Sequence, residues 1–139
     1  RHREALIMPV QSVLDAAREG MNYQRMRLDA ASRNIAGANV PVAAGQNATL
    51  WRVDGGSPLD FGRMVGQTPV LGEQPVEVRE VYDPGHPLAS EQGMVRYPSV
   101  DMVQEMTTLM TASRGYEANV RAFNFLRNMQ LRAIEIGAK

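Results

Sequence analysis

The sequence contains no cysteine, and this absence excludes several kinds of chemistry. Disulfide bridges, thiolate catalysis and cysteine-ligated zinc sites are all ruled out for these 139 residues. The absence does not identify a compartment, because a protein in an oxidising environment can simply lack thiols. Cysteine usage therefore narrows the chemistry without fixing the location.

Neither an excess of one charge nor a long apolar segment is present. Fifteen basic and 15 acidic residues give a formal net charge of 0, so nucleic-acid binding lacks its usual basic surface. The longest apolar run, residues 5–10, is far shorter than the roughly 20 residues that span a bilayer. It also lacks the small-residue cleavage site of a signal peptide. If the chain is exported, we expect a route without a cleaved signal.

Aromatic residues are scarce, at 6% of the chain, whereas methionine occurs nine times. Few aromatics weaken the case for one large core. Methionine is flexible and recurs at surfaces that adapt to a partner. The composition therefore favours a chain that completes its packing by association.

Residues 9–40 are predicted to form a long N-terminal helix, preceded by an extension over residues 1–8. Pro9 suits a first helical position, and Pro41 ends the helix because the residue before a proline is pushed out of the helical region. An apolar stripe repeats every seven residues, at Leu14, Met21, Leu28 and Ile35. This repeat is typical of a coiled coil, although an ordinary core-facing helix is the alternative.

Residues 41–98 are predicted to form a small, irregular antiparallel β module, because glycine and proline recur there at short intervals. Strand character appears at residues 49–53, 75–82 and 94–97. Residues 54–74 are predicted to include a mobile loop.

Residues 99–139 are predicted to form a second coiled-coil helix. Ser99 is a suitable N-cap, and Asp101 lies in the first turn, where the helix dipole favours an anion. One face carries Met102, Met106, Leu109, Tyr116, Val120 and Phe123. The predicted fold class is therefore α+β, with two long terminal helices forming a coiled coil around an inserted β module. Two helices cannot enclose each other's stripes, so further partners are expected to complete the packing.

Candidates for catalysis are few. His2 and His86 are the only histidines and lie far apart, so the usual spacing of metal ligands is missing. Asp101 and Glu105, four residues apart, could form an acid–base pair, but charges at a helix terminus are the favoured interpretation. Phosphate-binding glycine motifs and a nucleophile elbow are absent. No catalytic residue, metal, cofactor or small-molecule substrate is predicted.

Two segments resemble the flagellar rod and hook proteins. The stretch MNYQRMRLDAASRNIAGANV (21–40) is similar to their N-terminal signature, in which Gln and Arg-Leu precede Asn-Ile-Ala-x-Ala-Asn. Residues 81–137 resemble the C-terminal half of the proximal rod proteins. The Tyr-Asp-Pro-x-His-Pro turn and the run ASRGYEANV (112–120) carry that second likeness.

The resemblance implies a structural subunit of the bacterial flagellar basal body, without enzymatic activity. Such a subunit is exported through the type III apparatus without a cleaved signal. Many copies assemble helically into the proximal rod, the periplasm-spanning drive shaft that transmits torque from the membrane ring to the hook. The expected partners are further copies, other rod proteins, membrane-ring and export-gate components at the rod base, and the export apparatus. Nucleic acid is not among them.

The resemblance also assigns roles to residues. The two helix stripes would pair within and between subunits, with the inner rod formed by the terminal helices. Asn34 and Asn39 would cap or bridge at the end of the first helix. A turn leading from the β module toward the second helix would be fixed by Asp83, Pro84, Gly85, His86 and Pro87.

Three alternatives remain open at the level of the sequence. The chain could be another flagellar axial subunit, either a different rod protein or a hook-type protein. It could be a small enzyme acting on cell-wall polymer, with Asp101 and Glu105 as its acid pair. It could also be an export chaperone or adaptor.

Overall fold

The computed structural model describes the backbone of residues 2–55 and 68–137, and side chains from residue 11 onward within those ranges. Helix α1 spans His2–Gly37 and helix α2 spans Met102–Gly137. Four strands lie between them in the chain: β1 (Thr49–Asp54), β2 (Val70–Pro75), β3 (Val78–Tyr82) and β4 (Met94–Pro98). The predicted α+β class, with terminal helices and a small antiparallel strand region, is confirmed.

The strands form two separate antiparallel pairs, β1 with β2 and β3 with β4. Backbone hydrogen bonds extend both pairs: Val76 donates to the Ala48 carbonyl at 3.0 Å, and Ser99 donates to the Glu77 carbonyl at 2.9 Å. On the other edge of β4, Val42 donates to the Arg96 carbonyl at 2.8 Å. The segment after α1 is therefore tied to the last strand before α2.

The bounds of α1 differ from the predicted range 9–40. The helix includes residues 2–8, which were expected to precede it, and it ends at Gly37. Proline has a fixed φ close to the helical value, so a helix can continue through Pro9 at the cost of one backbone hydrogen bond. After Gly37 the chain turns, with the Val40 amide donating to the Gly37 carbonyl at 3.1 Å.

Strand β2 was not predicted. Its sequence contains Gly72 and ends at Pro75, two residue types that are depleted in strands, and its apolar residues do not alternate. Residues 70–74, expected to be loop, instead pair with β1. The part of the predicted loop over residues 56–67 lies outside the described residues.

The N-cap of α2 is Asp101 rather than the predicted Ser99. Asp101 Oδ1 accepts a hydrogen bond from the Gln104 amide at 3.2 Å, which satisfies one of the free donors of the first turn. The Ser99 amide is already committed to the β3–β4 pair. The helix therefore begins at Met102, three residues later than expected.

The chain divides into two compact units, here called the terminal unit (residues 1–25 and 111–139) and the central unit (residues 26–110). Eight apolar side chains are buried among the described residues: Leu14, Ala30, Ala31, Ala38, Ala48, Leu50, Val95 and Ala112. Five of them are alanine, so the buried apolar surface is small. Within the described ranges, neither helix contains an apolar segment of the length that a bilayer requires.

Candidate functional site

The predicted stripe of α1 is buried to different degrees along its length. Leu14 is buried, while Met21, Leu28 and Ile35 are partly buried. Within one copy of the chain the last three side chains keep part of their apolar surface accessible. This surface remains available for a neighbouring helix.

The predicted stripe of α2 is more exposed. Met102, Leu109, Val120 and Phe123 are partly buried, whereas Met106 and Tyr116 are exposed. Of 14 large apolar side chains exposed among the described residues, nine lie on α2. Helix α2 therefore presents much more apolar surface than one chain can cover.

The helices approach closely within the terminal unit, where glycine on each faces an amide on the other. A Cβ added to Gly20 of α1 would lie 3.1 Å from Asn119 Nδ2, and one added to Gly115 of α2 would lie 2.8 Å from Gln24 Cδ. Each helix thus contributes a glycine and an amide four residues apart, on one face. The two contacts are reciprocal, so the helices run antiparallel here in a fixed register.

A ring contact continues the same register. The Arg18 guanidinium lies 5.4 Å from the centre of the Phe123 ring, one turn beyond the Gly20–Asn119 contact. Cations are attracted to the faces of aromatic rings at this distance. Phe123 lies on the predicted stripe of α2. Its ring also contacts the Arg18 guanidinium of α1, a contact that the stripe pattern did not indicate.

In the central unit, Asn34 is the centre of a buried polar cluster. Its Oδ1 accepts the Trp51 amide at 2.7 Å, and its Nδ2 donates to the Trp51 carbonyl at 2.9 Å and to Glu105 Oε2 at 3.2 Å. The Asn34 side chain thus bonds to both the backbone amide and the backbone carbonyl of Trp51, as a neighbouring strand would. Asn34 therefore joins α1 to β1 and to α2.

Glu105 is almost fully buried and is neutralised by Arg52. Arg52 Nη1 lies 2.8 Å from Glu105 Oε1, with the two side chains 40% and 4% exposed respectively. Arg52 also donates to the Trp51 carbonyl at 3.2 Å. Among the described residues, no buried side-chain nitrogen or oxygen lacks a hydrogen-bond partner, so the cluster meets the usual condition for burying polar groups.

Trp51 connects the cluster to the surface of α1. The Arg33 guanidinium lies 4.4 Å from the centre of the Trp51 ring, and Arg33 Nε pairs with Asp29 Oδ1 at 3.0 Å. The Trp51 indole of β1 therefore contacts the Arg33 guanidinium, which is paired with Asp29 on α1. Sequence reasoning missed Trp51 and Arg52, because nothing in a strand pattern identifies the helix residue that it will meet.

Asn39 and the predicted turn are not part of the Asn34 cluster. Asn39 is exposed in the turn after α1. The segment Asp83–Pro87 joins β3 to β4, with the His86 amide donating to the Asp83 carbonyl at 3.1 Å and His86 Nδ1 accepting the Leu88 amide at 3.0 Å. The turn therefore lies inside the strand region, between β3 and β4.

The turn is closed by Gly93, which has a φ of +78°. A Cβ there would lie 3.0 Å from the Tyr82 ring and 3.1 Å from Pro84 Cβ. The Asp83 amide donates to the Gly93 carbonyl at 2.9 Å, where β3 ends. The ring of His86 and the backbone groups of Asp83 thus form hydrogen bonds within their own loop.

The acid pair considered from sequence does not share one environment. Asp101 is exposed and caps α2, whereas Glu105 is buried against Arg52 and Asn34. An acid–base pair would need both carboxylates to face a common substrate space. No group of three or more potential metal ligands occurs within the described ranges.

Comparison with known proteins gives a consistent result. A family model described as "Flagellar basal body rod FlgEFG protein C-terminal" matches residues 91–136. Flagellar basal-body rod protein FlgC of Salmonella typhimurium is 32% identical, over 94% of this chain and 99% of its own length. The proteins of the same name from Aquifex aeolicus and Bacillus subtilis are 31% and 29% identical, over 93% and 89% of this chain.

Proposed function

Because the chain belongs to the FlgC family of flagellar basal-body rod proteins, we propose that it is a structural subunit of the proximal rod. The observation that carries this proposal is 32% identity extending over nearly the whole of both chains. Because the match covers nearly all of both chains, it leaves no room for the larger central insertion expected of a hook-type protein. The rod acts as a drive shaft, and this subunit contributes stiffness rather than catalysis.

The proposed assembly uses the exposed apolar faces of the terminal helices. Side chains such as Met106 and Tyr116 remain accessible in one copy, and burial of apolar surface is the main favourable term in association. Many copies then pack helically, with other rod proteins above or below them. Close-packed side chains deform little, which suits a shaft that transmits torque.

We further propose that the chain travels through the flagellar type III export apparatus and joins the rod at its base, near the membrane ring and export gate. A route of this kind requires no cleaved signal. The exposed stripes on α1 and α2 become fully buried only after export, when neighbouring subunits are in place.

Leu28→Asp tests the helix stripe as an assembly surface. In a source strain that lacks its own copy, the variant protein is expected to be made but to give no rods and no motility, because an unpaired charge would be buried between helices. Electron microscopy of extracted basal bodies and a motility assay measure the two effects. Ser32→Asp is the matched control, because Ser32 is exposed one turn further along α1.

Normal rods from the Leu28→Asp variant would remove the proposed packing of α1. Loss of motility with intact rods would instead indicate a role other than assembly, such as an enzyme. If the chain stays soluble and is absent from purified rods, it is instead an export adaptor.

A further inference from the structure

Sulfur in this chain is carried by methionine alone. The sequence has nine methionines and no cysteine, so no thiol is present to consume an oxidant that reaches the protein. Oxidation converts the thioether of methionine into a sulfoxide, which replaces a flexible apolar side chain by a polar one. The positions of the methionines therefore decide what oxidation does to this molecule.

The structure describes the side chains of seven methionines, and none of them is buried. Four are partly buried: Met21, Met26, Met94 and Met102. Three are exposed, by 50%, 57% and 52%: Met106, Met110 and Met129. All three exposed thioethers lie on α2, so the methionine surface open to a dissolved oxidant is concentrated on one helix.

The buried apolar core of the described residues contains no thioether. Its members are leucine, valine and alanine. A sulfoxide formed on an exposed methionine keeps its new oxygen in water, so it does not bear the cost of burying a polar group. We therefore expect the fold of a free chain to survive oxidation of α2.

The thioethers at the start of α2 lie on one side of the helix. Met102, Met106 and Met110 follow one another at intervals of four residues, which places them in a row one turn apart. Met102 and Met106 also belong to the predicted assembly stripe. Where a neighbouring subunit covers this row, a sulfoxide would be a buried polar group without a partner, which weakens association. The same reaction is then harmless in the free chain and obstructive at the contact.

We propose that Met106 and Met110 form a site of reversible oxidative modification, at which a peroxide prevents an unassembled subunit from entering the rod. The sulfur donates an electron pair to one peroxide oxygen, the S–O bond forms as the O–O bond breaks, and the other oxygen leaves as water. A methionine sulfoxide reductase reverses the step with a dithiol, which becomes a disulfide while the sulfoxide oxygen leaves as water. The inference rests on the proposed rod function and adds a regulation of its assembly surface.

The first test measures reactivity on the purified full chain. Hydrogen peroxide is added, and the sulfoxide at each methionine is followed by peptide mass spectrometry. Met106, Met110 and Met129 are expected to react at least about threefold faster than the partly buried Met94, because they are more accessible. Circular dichroism is expected to stay unchanged. Equal rates at all four positions, or loss of helix on oxidation, would overturn the proposal.

The second test measures rod formation in cells of a source strain that lacks its own copy. A Met106→Leu and Met110→Leu variant keeps apolar side chains of similar volume, so normal rods are expected without oxidant. A hydrogen peroxide pulse as rod assembly begins is expected to lower the number of new rods at least about fivefold with the wild type relative to this variant. Sulfoxide at Met129, which both proteins retain, shows that they received the same dose.

A polar replacement tests the same site without oxidant. Met106→Gln and Met110→Gln together introduce unbranched polar side chains of similar length, and we expect this variant to stay folded but to give no rods. Normal rods from it would overturn the proposal. So would equal rod numbers for the wild type and the leucine variant after peroxide.

A comparison of wild-type fractions needs no variant. After the peroxide pulse, sulfoxide at Met106 and Met110 is expected to be at least about fivefold scarcer in extracted rods than in the soluble pool, and equal levels would contradict the proposal. If the chain is present in rods but oxidation has no effect, only the modification site is wrong. If the chain is absent from the rods of untreated cells, the rod function itself is wrong. The two failures are therefore distinguishable.

Discussion

Asn34 holds together three elements that are distant in the sequence. Its side chain accepts the Trp51 amide, and donates to the Trp51 carbonyl and to Glu105. The apolar alanines around it, Ala30, Ala31 and Ala38, leave room for the strand to approach α1. A larger apolar residue at these positions would separate the helix from β1 and break the cluster.

Asn34→Asp is expected to destabilise the chain by about 2–3 kcal/mol, because it removes two donated hydrogen bonds and places a second carboxylate beside Glu105. The free energy of unfolding is measured by urea titration. Asn39→Asp makes the same change at an exposed site five residues later, and we expect it to stay within about 0.5 kcal/mol of the wild type. Equal losses at both positions would mean that the buried cluster contributes nothing specific.

Gly115 and Gln24 determine how close the two helices come. Glycine in a helix costs about 1 kcal/mol relative to alanine, so its presence in α2 needs a compensating reason. The 2.8 Å approach of Gln24 Cδ to a Cβ built at Gly115 supplies one. The glycine leaves space that an amide of the facing helix fills.

Gly115→Ala is therefore expected to gain none of the roughly 1 kcal/mol that helix propensity would otherwise contribute. Adding Gln24→Ala removes the obstructing side chain, and we expect the double variant to be more stable than Gln24→Ala alone. Gly37→Ala is the control, since a Cβ there meets nothing within 4 Å. Thermal unfolding followed by circular dichroism compares these variants. A full gain from Gly115→Ala alone would show that the helices are not held this close.

The helices and three of the four strands could be predicted because they depend on local patterns. The seven-residue repeat of α1 and the strand character of residues 49–53, 75–82 and 94–97 are visible without knowledge of their partners. Strand β2 was missed because Gly72 and Pro75 disfavour strands locally, and only pairing with β1 stabilises it. Local propensity also favoured Ser99 as the N-cap of α2. The Ser99 amide instead donates to the Glu77 carbonyl, and the helix begins later in the chain.

The polar cluster could be predicted only in part. The family signature singled out Asn34 but not what it bonds, and Glu105 appeared as a candidate acid. Arg52 and Trp51 carry no sequence signal, because their roles depend on contacts 53 and 17 residues away. The predicted assembly residues of the two stripes stay a prediction, since one chain contains no neighbouring subunit.

As a whole, the molecule combines a small buried core with extensive exposed apolar surface. Only eight apolar side chains are buried among the described residues, against 14 large exposed ones. A chain of this length normally buries well over half of its surface. Long helices that contribute little to an internal core are suited to packing against copies and neighbours.

The charge distribution complements this arrangement. The terminal unit has a formal charge of +4 and the central unit one of −4, counted over all residues of each. Apolar burial would then supply affinity, while charge sets orientation and the rate of encounter.

The composition of purified basal bodies is the most direct test of the claim that this chain is a structural rod subunit. We would extract basal bodies from the source bacterium with detergent, remove loosely bound protein at high salt, and quantify the chain by mass spectrometry against known rod components. The account predicts that the chain remains in the rod in several copies, and that rods are missing from cells lacking it. Intact rods without the chain would contradict the account and leave an enzyme or an export adaptor as its role.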